Sequence, residues 1–282
     1  MKKLLVHVHV FYTEQWPALY ARLASACGGA HDLWVTHCGT TPGFSEQVQR
    51  DAPAAHVLQV RNVGYDVGPF VEVLKRVNLA DYSFCIKIHS KRDLPEDSML
   101  GGFDVGGSIW REWLLSFLAP QHFARCMQAF EREPALGMVG HHALIWRREP
   151  ADKKAWRQAV QWLEAAGLPY SAPAYVAGSM FICRAALLAP LIDMLGDVEF
   201  EAANQEGAGT LAHAAERLLG FVVAAQGYEV KDVYSSAQAR RAARMRGIRR
   251  RVARFLYQRK VTRKGKLIIK ICRIPIYRSR IK

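Results

Sequence analysis

The chain has 282 residues, half of them apolar and 23% charged, which excludes a disordered or fibrous protein and supplies a sizeable core. The formal net charge of +14 is unevenly placed: residues 233–282 hold 18 of the 39 Lys and Arg and no Asp or Glu, leaving 21 basic against 25 acidic side chains in residues 1–232. A mildly acidic body with a basic tail excludes a fold that wraps nucleic acid around its whole surface.

The first ninety residues alternate. Residues 4–10 read as a strand, 16–27 as a helix, 32–37 as a strand, 44–50 as a short helix and 55–60 as a third strand. A glycine-containing loop follows, then a helix over 69–77 and a strand over 82–89. This alternation predicts a parallel sheet with right-handed crossovers, whose ligands bind at the carboxyl ends of its strands. Beyond it, 109–118 and 121–131 read as helices, 136–139 as a strand, 153–166 as a helix, 175–183 as a strand, 185–195 and 209–219 as helices, and 221–224 as a last strand. The economical division is one α/β domain over 1–232 and a tail over 233–282.

None of the six cysteines forms a Cys-x-x-Cys pair, so they read as reduced, mostly buried thiols rather than zinc ligands. No run reaches the roughly 20 apolar residues of a membrane helix. The basic opening at Lys2 and Lys3 lacks the long apolar run and cleavage site of a signal peptide. The expected location is cytoplasmic, with peripheral attachment to the inner face of the plasma membrane.

Two stretches carry chemistry. In Asn62-Val63-Gly64-Tyr65-Asp66-Val67-Gly68-Pro69-Phe70, Gly64 and Gly68 permit positive φ and close approach of a ligand. A glycine turn feeding a helix N-terminus suits phosphate, with Asn62 and Asp66 available to a sugar hydroxyl, a ribose or a lysine. A plain turn with Asp66 as N-cap fits the spacing equally well. In residues 82–92, alternation puts Lys87, His89 and Lys91 on one side of a strand. Such a cluster is a counter-charge for a diphosphate leaving group; a solvated strand end is the alternative.

These two stretches resemble the rhamnan synthesis protein F family of glycosyltransferases. The opening His9-Val10-Phe11-Tyr12 before Trp16-Pro17, then Trp110-Arg111, Gly137-Met138-Val139-Gly140, Ala177-Gly178-Ser179-Met180-Phe181 and His213-x-x-Glu216-Arg217, look like its other blocks in order. Tyr65 departs from the pattern, where a basic residue is expected. The resemblance implies a GT-A-like (Rossmann-like) α/β fold, a nucleotide-sugar donor carrying rhamnose or a related deoxysugar, and a lipid-linked polysaccharide or lipopolysaccharide acceptor. Many GT-A enzymes hold a divalent cation with Asp-x-Asp. The motif is absent from this chain, so no metal ligand is assigned and Lys87, His89 and Lys91 are expected to replace the cation at least in part.

His213, Glu216 and Arg217 fall at i, i+3 and i+4 and share one helix face. Glu or His suits the base of an inverting transfer, and Arg217 suits a diphosphate; an intrahelical surface ion pair is the bland alternative. Gly178, within a strand, marks a close approach or simple packing. The expected catalytic residues are thus Glu216, Asp66 and His213. The expected substrate-binding residues are Tyr12, Asn62, Gly64, Gly68, Lys87, His89, Lys91, Gly178 and Arg217.

In the tail, Met245, Ile248, Val252, Phe255 and Leu256 recur at helical spacing among arginines. A basic amphipathic helix reads as an element for an anionic membrane surface, here through residues 240–277, with no specific nucleic acid expected. The rival to an enzyme is a noncatalytic membrane- or nucleic-acid-binding adaptor.

Overall fold

Parallel strands covered on both faces read as near-continuous apolar runs, and β1 (Lys3–His9) is one apart from His7 and His9: Leu5, Val6 and Val8 are fully buried. The computed structural model describes residues 3–28, 31–148, 153–170, 173–202, 209–261, 266–272 and 274–280. After β1 come α1 (Trp16–Cys27), β2 (His31–His37), α2 (Phe44–Asp51), β3 (His56–Gln59), α3 (Val67–Leu74) and β4 (Tyr82–His89). β1 pairs in parallel with both β2 and β4, and β2 with β3. The chain continues through β5 (Met99–Leu100), β6 (Phe103–Asp104), α4 (Ile109–Leu115), α5 (Pro120–Arg132), β7 (Leu136–Val139), β8 (Ile145–Trp146) and α6 (Lys154–Ala165). It ends with β9 (Tyr175–Val176), β10 (Phe181–Arg184), α7 (Pro190–Leu195), α8 (Leu211–Ala225), β11 (Glu229–Lys231), α9 (Ala237–Leu256), β12 (Tyr257–Val261), β13 (Lys266–Ile271) and β14 (Ile274–Arg280).

The chain divides into two compact units, Met1–Arg92 with Arg111–Ser235, and Asp93–Trp110 with Ser236–Lys282. The first is built on a seven-stranded sheet of order β11-β7-β10-β4-β1-β2-β3, the Rossmann-like α/β class expected. β10 runs antiparallel between β4 and β7; the other neighbours are parallel. The carboxyl ends of β4, β1, β2 and β3 therefore share one edge, and the chain enters β10 from that same edge.

Two elements differ from expectation. Residues 221–224 are not a strand but the last turns of α8, where Phe221, Val222 and Val223 are buried beside Ala215, Leu218 and Leu219. An apolar run buried all round has no period that separates helix from strand. The expected strand over 175–183 is two strands, because Gly178 (φ 89) and Ser179 (φ 50) break the extended backbone between β9 and β10.

In the second unit, β5 and β6 form a hairpin whose two-residue turn, Gly101-Gly102, has both φ positive, as such turns demand. α9 rests on it through Ala243 and Gly247; a Cβ on Gly247 would lie 2.1 Å from the Gly102 carbonyl oxygen. The rest of the tail is a three-stranded antiparallel sheet, β12-β13-β14, where only helix and apolar content were anticipated. Among the described residues, no helix is long and apolar enough to cross a membrane.

Candidate functional site at the carboxyl edge of the sheet

The centre of the site is a buried ion pair. Lys87 on β4 is 0% exposed, because β4 lies inside the sheet between β1 and β10. An ammonium has three protons, and each has a partner: Asp66, the Ser179 hydroxyl at 3.0 Å and the Ser179 carbonyl oxygen at 3.1 Å. The Ser179 hydroxyl in turn donates to Asp66. Phe70 closes one side, with the Lys87 nitrogen 5.6 Å from its ring centroid. Asp66 stands at the N-cap position of α3 without making a capping hydrogen bond, because its carboxylate is turned to Lys87. Two non-glycine residues of this cluster, Tyr65 (φ 53) and Ser179, hold left-handed backbone, a conformation that costs energy and concentrates at functional sites.

Histidines surround the pair. The β1–β4 register sets His7 beside Lys87 and His9 beside His89. His7 Nε2 and His9 Nδ1 both meet the Thr36 hydroxyl, at 2.9 and 3.0 Å, and His7 stacks on Phe70. His89 Nε2 lies 3.0 Å from the Gly178 carbonyl oxygen and 3.7 Å from Asp66, while its Nδ1 lies 3.0 Å from the Ser90 carbonyl oxygen. Burial pushes His9 down to about 3 and His89 down to about 4, and holds His7 well below its ordinary value with help from Lys87. Burial thus favours the neutral form of these rings, whereas the carbonyl oxygens facing both nitrogens of His89 favour a proton on each. Burial pushes the Asp66 carboxyl upward, yet His89, Lys87 and the hydrogen bonds from Lys87 and Ser179 hold it well below the usual carboxylate range.

This changes the expected role of the cation trio. The Lys87 charge is spent on Asp66 inside the protein, and both ring nitrogens of the buried His89 already face protein oxygens, so neither is a free counter-charge for a diphosphate. Lys91 lies one loop away, its backbone N–H donating to Gln15 at 2.9 Å. Tyr12, at the end of β1, donates its N–H to Ser90 at 2.9 Å and carries the Arg92 guanidinium over its ring.

The glycines of the 62–70 loop have packing reasons. A Cβ on Gly64 would lie 2.7 Å from the Phe200 ring, and one on Gly68 2.4 Å from the Val63 carbonyl oxygen. The amides of Val67 and Gly68 both donate to the Gly64 carbonyl oxygen at 3.1 Å, and Pro69 has none. The first turn of α3 thus uses its own donors, which removes the phosphate cradle anticipated there. Asn62 is half-buried in the same loop.

Helix α8 supplies the remaining groups. Thr210 caps it and meets His213 Nδ1 at 2.7 Å. Glu216 Oε1 accepts the Gly178 N–H at 2.5 Å, which ties α8 to the backbone that also receives His89. Arg217 is buried; it donates to the His213 carbonyl oxygen at 2.5 Å, lies over the Tyr175 ring and keeps 3.9 Å from Glu216 Oε2. Its Nε is buried with no hydrogen-bond partner among the described residues. Tyr65 stands edge-on to the His213 ring at 5.8 Å. Asp66, Lys87, His89, Gly178, Glu216, Arg217 and His213 therefore form one connected cluster. Ser179, Thr36, His7 and His9 belong to it and were not anticipated. Two histidines alternating within an otherwise apolar strand were the available signal.

The end of β4 does not fit a divalent cation, because Asp66, the carboxylate in contact with it, is already neutralised by Lys87. One group among the described residues has metal-ligand chemistry: His141, His142 and Asp232, whose ligand atoms lie within 4.8 Å of one another. Asp232 there accepts from the His142 N–H and ring, at 2.9 and 3.1 Å, and from the amides of Tyr234 and Ser235. It acts as a clasp between the strand ends of β7 and β11. A cleft of about 570 Å³ borders Val63 and Gly68 and is lined by Arg61, Glu72, Lys75 and Glu199, with none of the cluster residues in its wall.

Over 192 residues, 66% of its length, the chain is 31% identical to proteins of two strains of Xanthomonas campestris pv. campestris, B100 and ATCC 33913, each bearing the name "uncharacterized protein WxcX". The match covers 26% of those proteins, so the chain spans about a quarter of these curated relatives. The family model of rhamnan synthesis protein F matches residues 1–228, a span that contains every member of the buried cluster. The chain belongs to the rhamnan synthesis protein F family, whose name ties it to polysaccharide synthesis.

Proposed function

We propose that the first unit is a GT-A-like glycosyltransferase that moves a sugar, rhamnose or a related deoxysugar, from a nucleotide-sugar donor to a lipid-linked polysaccharide acceptor. The observation that carries this reading is convergence. Residues from the β3–α3 loop, the end of β4, the β9–β10 turn and α8 meet at the carboxyl edge of an open α/β sheet, where such sheets bind ligands. Glu216 is the base in this reading. Gly178 fixes its Oε1, while its other oxygen is only 3.9 Å from Arg217 and the side chain keeps an exposed edge. Asp66 is the poorer base, since an ionised carboxylate already accepting from Lys87 and Ser179 has little affinity for a further proton. Lys87, Asp66 and Ser179 act as positioning residues, and Arg217, with its unpartnered Nε, is the group for donor phosphate.

Thermal-shift measurements with dTDP-, UDP- and GDP-sugars test this directly, because a ligand that binds only the native state raises its melting temperature. A shift with one nucleotide class, followed by transfer to a lipid-linked glycan, is expected. No shift with any donor favours the noncatalytic adaptor.

A further inference from the structure

We propose that the second unit carries a docking face for an anionic membrane surface, made by the outward side of α9 and the tip of the β13–β14 hairpin, with apolar insertion as well as charge holding it there. Helix α9 is packed in the reverse of the usual sense. Its contact side is small, Ala243 and Gly247, and the glycine lets the helix backbone lie against Gly102. At 3.6 residues per turn, Met245, Val252 and Leu256 fall on the opposite side, where Val252 and Leu256 are each 52% exposed. Met245, Val252 and Leu256 thus turn away from the hairpin that α9 rests on.

The sheet repeats the pattern. Tyr257 opposes Ile271 on β13, and Ile271 opposes Ile274 on β14. Directly opposed residues share a face, so these three form one rung across the sheet. All three are exposed, Ile274 by 65%; Tyr277, opposite Ile269 across the bulge in β14, continues that face, and Ile276 is exposed at the bulge itself. The Cys272 N–H donates to the Leu256 carbonyl oxygen at 3.1 Å, which sets the hairpin tip beside the end of α9 and joins the two apolar areas. Soluble monomers rarely expose contiguous apolar surface of this kind without a partner.

Charge identifies the partner. The second unit holds 18 basic and 4 acidic residues, and all four acids, Asp93, Glu96, Asp97 and Asp104, lie in residues 93–110. Exposed arginines, including Arg240, Arg241, Arg244 and Arg249, line α9. An anionic headgroup layer over acyl chains meets both features, cations outside and isoleucines inside. A nucleic acid would occupy the arginines but give no role to Ile271, Ile274 and Ile276. A second copy of the chain would set two strongly basic faces against each other.

The test is cosedimentation of the full chain with phosphatidylcholine vesicles, with and without phosphatidylglycerol. Two variants run beside it: Ile274→Ser/Ile276→Ser and Arg241→Gln/Arg244→Gln/Arg249→Gln. Both alter exposed positions, and circular dichroism confirms that each remains folded. Wild type pellets with phosphatidylglycerol vesicles and not with phosphatidylcholine alone, and each variant binds about tenfold more weakly. Equal binding by wild type and the isoleucine variant overturns the proposal. So does tighter binding to an RNA or DNA oligonucleotide that ignores the isoleucine change, or a wild-type dimer that the isoleucine variant converts to monomer. Nucleotide-sugar thermal shifts concern the other unit, so either reading can fail without the other.

Discussion

Lys87→Met offers a direct probe of the buried centre. The substitution keeps side-chain length but removes the charge from a site with no solvent exposure. Asp66 is left with the Ser179 hydroxyl and no cation, and the Ser179 carbonyl oxygen loses its donor. Breaking one side of a buried ion pair costs about 3–5 kcal/mol, because the remaining charge is uncompensated. Asp66 can relieve that cost by taking up a proton. In the wild type its carboxyl is held low, so its contribution is present above the ordinary carboxylate range and is lost only as pH falls well into acid. In Lys87→Met the part of that depression due to Lys87 is gone while burial still pushes the carboxyl up, and the variant's deficit should shrink as pH falls from 8 to 5. The double variant Lys87→Met/Asp66→Leu removes both charges and should recover about 2 kcal/mol or more of the single variant's loss. Urea unfolding midpoints and slopes at pH 8 and pH 5 measure the wild type, the two single variants Lys87→Met and Asp66→Leu, and the double variant. A single-variant loss below about 1 kcal/mol, within the range of exposed ion pairs, refutes the buried pair. A double variant whose loss equals the sum of the single losses refutes the coupling.

Further outcomes follow from other parts of the cluster. Burial lowers the pKa values of His7, His9 and His89, so the stability linked to these shifts is full above the unfolded value of about 6.5 and is lost as pH falls below it. Each loses up to about 1.4 kcal/mol per pH unit, and stability that is flat between pH 6.5 and 5 would contradict the assignment. Gly220→Ala pits helix propensity, worth about 1 kcal/mol in favour of alanine, against a Cβ only 2.2 Å from the Ala174 carbonyl oxygen. Packing should win, with a net loss of about 1–3 kcal/mol in chemical denaturation; a more stable variant would show that α8 is free to shift. Glu216→Gln keeps an oxygen for the Gly178 N–H but loses the base, so sugar transfer should fall by about 10²–10⁴-fold while the melting temperature barely moves. Full activity in that variant sinks Glu216 as the base.

Local pattern by itself determined the first half of the fold. β1 and β4 are mostly apolar runs of strand length, the helices between strands have helical spacing, and the alternation of the two leaves little choice but a parallel sheet. The start of the basic segment at residue 233 is likewise a matter of sequence alone, since charge is counted without any fold. The sequence named Asp66, Lys87, His89 and Glu216 as separate candidates at strand ends and on a helix face. Their pairing was not legible. That Lys87 is neutralised by Asp66 and bracketed by Ser179 depends on β10 entering antiparallel beside β4, a contact between residues 92 positions apart. The same holds for residues 93–110, which group with the tail across more than a hundred residues of intervening chain, and for the β12-β13-β14 sheet. Strand pairing is a non-local choice, while periodicity reports only which face of a segment is apolar. Tertiary structure alone decided which of those faces meet each other and which, as on α9 and β14, stay exposed.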